Sequence, residues 1–81
     1  MDIGVEVSLY PLDREFIPPI QDFIDRINAH AGLRITTNSL STQIFGAYDE
    51  VMAALASELR PTFEGNAKAV FVMKIIGPYP G

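Results

Sequence analysis

The chain has 81 residues, 48% of them hydrophobic and 20% charged, with six Gly and six Pro. That is the size and composition of a single globular domain spanning residues 1–81, and it excludes a disordered or collagen-like polymer. The net charge of −4, with the six Lys and Arg scattered at positions 14, 26, 34, 60, 68 and 74, provides no basic stripe and argues against a nucleic-acid partner.

There is no cysteine. Disulfide scaffolds, thiolate metal sites and cysteine nucleophiles are therefore excluded, and a reducing compartment suits the composition. The first residues, Met1-Asp2-Ile3-Gly4, form neither a basic region nor the start of a signal-length apolar run. No stretch approaches the roughly 18 apolar residues a membrane span needs. The expectation is a cytoplasmic protein that does not insert into a membrane.

Ile3, Val5, Val7 and Leu9 alternate with Gly4, Glu6, Ser8 and Tyr10. This period of two predicts a half-buried strand ended by Pro11. Ile17, Ile20, Phe23, Ile24 and Ile27 then recur at helical spacing, with Pro18 and Pro19 in the first turn, where a missing N–H costs little. Gly32 predicts the helix stop, with His30 in the last turn. Residues 33–37 and 40–46 read as a hairpin around Asn38-Ser39. Val51, Met52, Leu55 and Leu59 mark a second helix that Pro61 should kink or end near Arg60, with Thr62-Phe63 as an extra turn. Residues 69–76 form a last strand, apolar on both faces except at Lys74, which predicts burial on both sides.

The order β-α-β-β-α-β predicts an α+β, ferredoxin-like plait: four antiparallel strands in the order 4-1-3-2, with two helices on one face. The other face stays open. It should carry Glu6, Ser8 and Tyr10 from the first strand, and Phe71, Met73 and Ile75 or their alternates from the last. Large apolar side chains on such a face predict an interface, and stacked sheets would form a dimer with pockets between them.

Catalytic constellations are not evident. His30 reads as a capping or surface residue, Asp22 and Asp25 as a solvated helix face, and Asp49-Glu50 as acids at a helix N-terminus. Neither a phosphate loop nor a metal-ligand pattern is present. Phe45 and Tyr48 read as core and helix-entry packing residues. Two polar clusters remain: Ser8-Leu9-Tyr10-Pro11, and residues 36–42, where six of seven side chains carry a hydroxyl or amide. Thr suits strands and Asn-Ser suits a turn. The same groups also suit a small neutral or cationic heterocycle held against an aromatic ring such as Tyr10.

Ser8-Leu9-Tyr10-Pro11-Leu12, then Thr37-Asn38-Ser39-Leu40-Ser41-Thr42 with Gly46, then Pro80-Gly81, together resemble the YKOF-related family over essentially the whole chain. A neighbouring group of small thiamin-binding plaits shares the first strand pattern and the Thr-x-x-x-Gly strand. The resemblance implies a non-catalytic protein that binds thiamin or its hydroxymethylpyrimidine precursor against the open sheet face, with a role in precursor supply or transport. It implies Ser8, Tyr10, Thr37, Asn38, Ser41 and Thr42 as ligand-binding residues and no further cofactor. Some members carry an acid where Asn38 stands, and a Cys-Pro-Gly ending where this chain has Tyr79-Pro80-Gly81. Relatives with two tandem plaits imply a homodimer or homotetramer here. A bound thiazolium would lie over Tyr10 or near Glu6, a residue that otherwise reads as a solvated strand charge. The alternative is a regulatory or assembly module whose open face only mediates oligomerisation.

Overall fold

The computed structural model describes residues 1–65 and 68–79. The elements run β1 (Asp2–Pro11), α1 (Ile17–Asn28), β2 (Arg34–Thr37), β3 (Thr42–Ala47), α2 (Tyr48–Glu64) and β4 (Ala69–Ile76). The four strands form one antiparallel sheet in the order β2-β3-β1-β4. This is the expected ferredoxin-like arrangement, read from the opposite edge. The terminal Pro80-Gly81 of the resemblance lies outside the described residues.

The alternation in β1 decides the layers. Ile3, Val5 and Val7 are buried against the helices, together with Ile44 of β3, Phe23 and Ile27 of α1, and Val51, Ala54 and Leu55 of α2. Register carries the same parity across the sheet: Val7 pairs with Thr42 and Met73, and Leu9 pairs with Phe71. Phe71 is thereby brought edge-on to Phe23, at 5.1 Å between centroids, and to Phe63, at 5.4 Å. These three rings close one end of the core.

Strand β4 decides one open expectation and corrects another. Phe71 and Met73 pack on the core, so the alternates Val70, Val72, Lys74 and Ile76 occupy the open face. Burial on both sides is not met within one chain, because β4 is an edge strand and Val72 and Ile76 remain 51% and 60% exposed. The hairpin is also shorter than expected, with β3 beginning at Thr42. Asn38 Oδ1 accepts the N–H groups of Leu40 and Ser41, and Asn38 N–H donates to the Ser41 carbonyl. The turn thus absorbs residues 38–41.

At their C-terminal ends helix α1 departs from expectation and helix α2 takes the expected extra turn. Helix α1 stops at Asn28 rather than near Gly32, as Ala29 and His30 donate to the Arg26 and Ile27 carbonyls. Helix α2 continues through Pro61 to Glu64. Arg26 braces it there from across the helix pair, donating through Nη1 to the Glu58 carbonyl (2.6 Å) and carboxylate (3.0 Å), and through Nη2 to Thr62 Oγ1 (2.8 Å). His30 Nε2 lies 2.7 Å from the other Glu58 oxygen. It therefore has a carboxylate partner, 28 residues away in sequence, that no local pattern revealed. Hydrogen bonding from His30, then from Arg26, holds the Glu58 carboxyl below its ordinary value against the opposing effect of burial. Burial works against the Arg26 charge, but bonds to Asp22 and Glu58 outweigh it and raise its pKa. Among the described residues no helix is long and apolar enough to cross a membrane.

This clamp predicts a pH-dependent stability. Because folding lowers the Glu58 pKa, its contribution is complete above the ordinary value of 4.5 and is lost as pH falls through the folded value. Glu58→Gln should lower the stability measured by urea denaturation at pH 7 by about 1–2 kcal/mol. The gap from wild type should close progressively below pH 4.5; a gap unchanged at pH 3 would contradict the assignment.

Candidate functional site

The open face is organised as cross-strand rungs. One runs Arg34–Phe45–Gly4–Ile76 and the next Thr36–Gln43–Glu6–Lys74, followed by the pairs Ser8–Val72 and Tyr10–Val70 on β1 and β4. Gly4 is what lets the first rung close. A Cβ there would meet the Phe45 ring at 2.8 Å, so only a bare Cα leaves room for the ring to lie across β1. Tyr79 packs on the same ring at 5.0 Å, and the Arg34 guanidinium lies 5.5 Å from its centroid.

Between these rungs lies a depression of about 230 Å³, lined by Gly4, Glu6, Gln43, Phe45, Lys74 and Ile76 together with Val5 and Ile75. Its walls are apolar and its polar groups converge. Glu6 Oε2 accepts a hydrogen bond from Ser41 Oγ at 3.1 Å, while Oε1 faces Lys74 Nζ at 3.9 Å. A flat heterocycle can rest on the Phe45 side and offer N–H groups to Glu6 and ring acceptors to the Gln43 amide.

The seven residues expected to hold a ligand divide between two faces. Glu6, Ser8 and Tyr10 share the open face, and Ser41 reaches it through Glu6. Ser8 Oγ donates to the Leu40 carbonyl at 3.3 Å. Tyr10 is four residues beyond Glu6, roughly 13 Å along the strand, and lies outside the depression. Thr37 and Thr42 point the other way, because they share the parity of Ile35 and Ile44. Their hydroxyls pair at 3.2 Å, and Thr42 is only 4% exposed. Asn38 spends its carbonyl on the turn. With Ser41, these residues border a smaller hollow of about 80 Å³ on the helix side, against Ile20, Phe23 and Ile24. That volume is less than an aminopyrimidine ring with its substituents requires.

Gln43, Phe45 and Lys74 were not among the expected site residues, and Phe45 corrects its reading as a core residue. The signal was available in β3, where Gln43 and Phe45 take the opposite parity to Thr42 and Ile44. Among the described residues no three His, Asp or Glu side chains gather as a metal ion would require. Charge is also layered. Of the ten acids and six bases in the chain, the strands carry two of each: Asp2, Glu6, Arg34 and Lys74. The net negative charge therefore sits on the helices and loops.

No protein-family model matches the sequence, and no curated protein matches it. Solved structures do match in fold. A protein of Thermotoga maritima proposed to act in thiamine biosynthesis or salvage is 17% identical with a TM-score of 0.82, covering 93% of this chain and 82% of its own. A hypothetical protein of Methanocaldococcus jannaschii is 21% identical at TM-score 0.82, covering 99% and 84%. A domain of unknown function, DUF77, from Bacillus cereus is 14% identical at TM-score 0.80, covering 96% and 77%. At these identities the likeness is one of fold.

The division of the polar residues predicts different outcomes for substitutions on the two faces. Thr42→Val keeps the shape but removes the hydrogen bond that the buried Thr42 hydroxyl makes with Thr37, and should cost about 1 kcal/mol in chemical denaturation. Ser8→Ala, on the open face, should change stability by less than about 0.5 kcal/mol. Equal costs would show that the two faces are not separated in this way.

Proposed function

We propose that the chain is a non-catalytic binding protein for thiamin or its hydroxymethylpyrimidine precursor, held in the open-face depression. The observation that carries this reading is the convergence of the Glu6 carboxylate and Gln43 amide beside the Phe45 ring in a hollow of about 230 Å³. An aminopyrimidine has complementary groups. Its exocyclic amine donates to Glu6, its ring nitrogens accept from Gln43, and its face packs on Phe45. The sequence resemblance and the thiamine-related name of one structural neighbour support the same ligand class. In this reading Ser41 orients Glu6, Ser8 fixes the hairpin over the sheet, and Thr37, Asn38 and Thr42 shape the hairpin without touching ligand. A thiazolium would be balanced by Glu6. The protein acts in the cytoplasm.

Val70 and Val72, with Ile76 beyond Lys74 at the edge of the depression, expose apolar surface along β4 on the open face. We propose that these side chains are covered by a second copy in a homodimer or homotetramer that leaves the mouth of the depression open. The same surface favours a second reading, in which the open face serves assembly alone.

Thermal unfolding with thiamin and hydroxymethylpyrimidine tests both readings. Ligand at about 100 times its Kd adds about 2.7 kcal/mol, a rise on the order of 10 °C for a domain of this size. Glu6→Gln should weaken binding about tenfold or more by removing a charged acceptor, and Thr42→Val should not weaken it. No shift at millimolar ligand, combined with a concentration-dependent mass in sedimentation that Val72→Glu abolishes, would leave the assembly reading alone.

A further inference from the structure

Lys74 is the cation that lines the depression. Its side chain is 84% exposed, and its Nζ stands 3.9 Å from Glu6 Oε1, beyond hydrogen-bond length. No hydrogen bond joins the ammonium to an acceptor among the described residues. Glu6 Oε2 meanwhile is engaged by Ser41. On the opposite side of the hollow stands Arg34, against the Phe45 ring. Lys74 and Arg34 thus offset Glu6 and Asp2 on the sheet layer, which is neutral in sum in a chain whose net charge is −4. An approaching anion is opposed less on this face than on the acidic helix layer.

The chemistry of the ligand class supplies the remaining step. In hydroxymethylpyrimidine the exocyclic amine and the hydroxymethyl group occupy neighbouring ring carbons. Directing the amine to Glu6 therefore brings the hydroxymethyl oxygen near the wall of the hollow, where Lys74 lies within a few ångströms of the same carboxylate. Resting on the ligand class proposed above, we propose that Lys74 makes this site select the phosphate monoester of its pyrimidine ligand over the free alcohol. A monoester carries a charge of about −1.5 to −2 at neutral pH and strong acceptor oxygens. A lysine ammonium meets such a group as a point charge, with three donors to give. Glu6 keeps the amine while Lys74 turns from Glu6 to the phosphate. Because the ammonium is exposed, the preference is modest and falls with salt.

Calorimetric titration of the full chain with hydroxymethylpyrimidine, its monophosphate and inorganic phosphate, at low and high salt, tests this. The monophosphate should bind about fivefold more tightly than the alcohol at low salt. That ratio should shrink at high salt, fall to about one in Lys74→Gln and survive in Lys74→Arg. Inorganic phosphate should bind far more weakly than the ester. Equal binding of alcohol and ester by the wild type would overturn the selectivity while leaving the binding function standing. So would a preference that persists in Lys74→Gln, since the phosphate would then be read by another group, or inorganic phosphate binding as tightly as the ester. Binding of neither pyrimidine would instead remove the proposed function, and this inference with it.

Discussion

Strand β1 is hydrogen-bonded on both sides, to β3 from Asp2 to Val7 and to β4 from Gly4 to Pro11. Because its side chains alternate, one register choice fixes the inward and outward residues of three strands at once. A slip of a single residue would turn Ile3, Val5 and Val7 to solvent and drive Glu6 and Ser8 beneath the helices. Burying an unpaired carboxylate there would cost far more than the sheet could recover. The apolar run of β1 and the charge at Glu6 therefore enforce the same register, one by attraction to the core and the other by exclusion from it. The positions of Phe45, Gln43 and Lys74 all follow from it.

How much of this could be read in the sequence depended on how strongly each segment alternates. In β1 the contrast between Val and Glu or Ser is sharp, and both face and extent were legible. In β4 it is weak: Val70, Val72 and Ile76 are as apolar as Phe71, Met73 and Ile75, and only pairing with β1 decides which set enters the core. In the hairpin, six polar side chains suggested one surface, although the strand period divides them. Thr37 and Thr42 follow Ile35 and Ile44 inward, which parity would have revealed had Ile44 been taken as the reference. The Arg26–Glu58–His30 clamp was invisible for a different reason. Its members come from separate elements, and their meeting depends on how α1 crosses α2.

Stability and the proposed site occupy different layers. The core, the three-ring cluster around Phe71 and the Arg26 clamp all lie on the helix side. The depression rests on the far face, where Glu6, Gln43 and Lys74 make few contacts that the fold needs. Side chains there can change with little penalty, so the fold tolerates different residues on that face. That is consistent with a shared architecture at identities as low as 14% in solved structures of the same shape.

The layering of charge has a kinetic consequence. With acids concentrated on the helices and loops and the strands neutral in sum, the molecule behaves as a plate with one negative side. Two copies colliding helix side to helix side repel one another, whereas copies meeting sheet to sheet do not pay that repulsion. At low ionic strength the encounter ensemble is therefore biased toward sheet-to-sheet orientations. Added salt would make collisions more frequent and less selective. Orientation is filtered by long-range repulsion before any apolar contact forms.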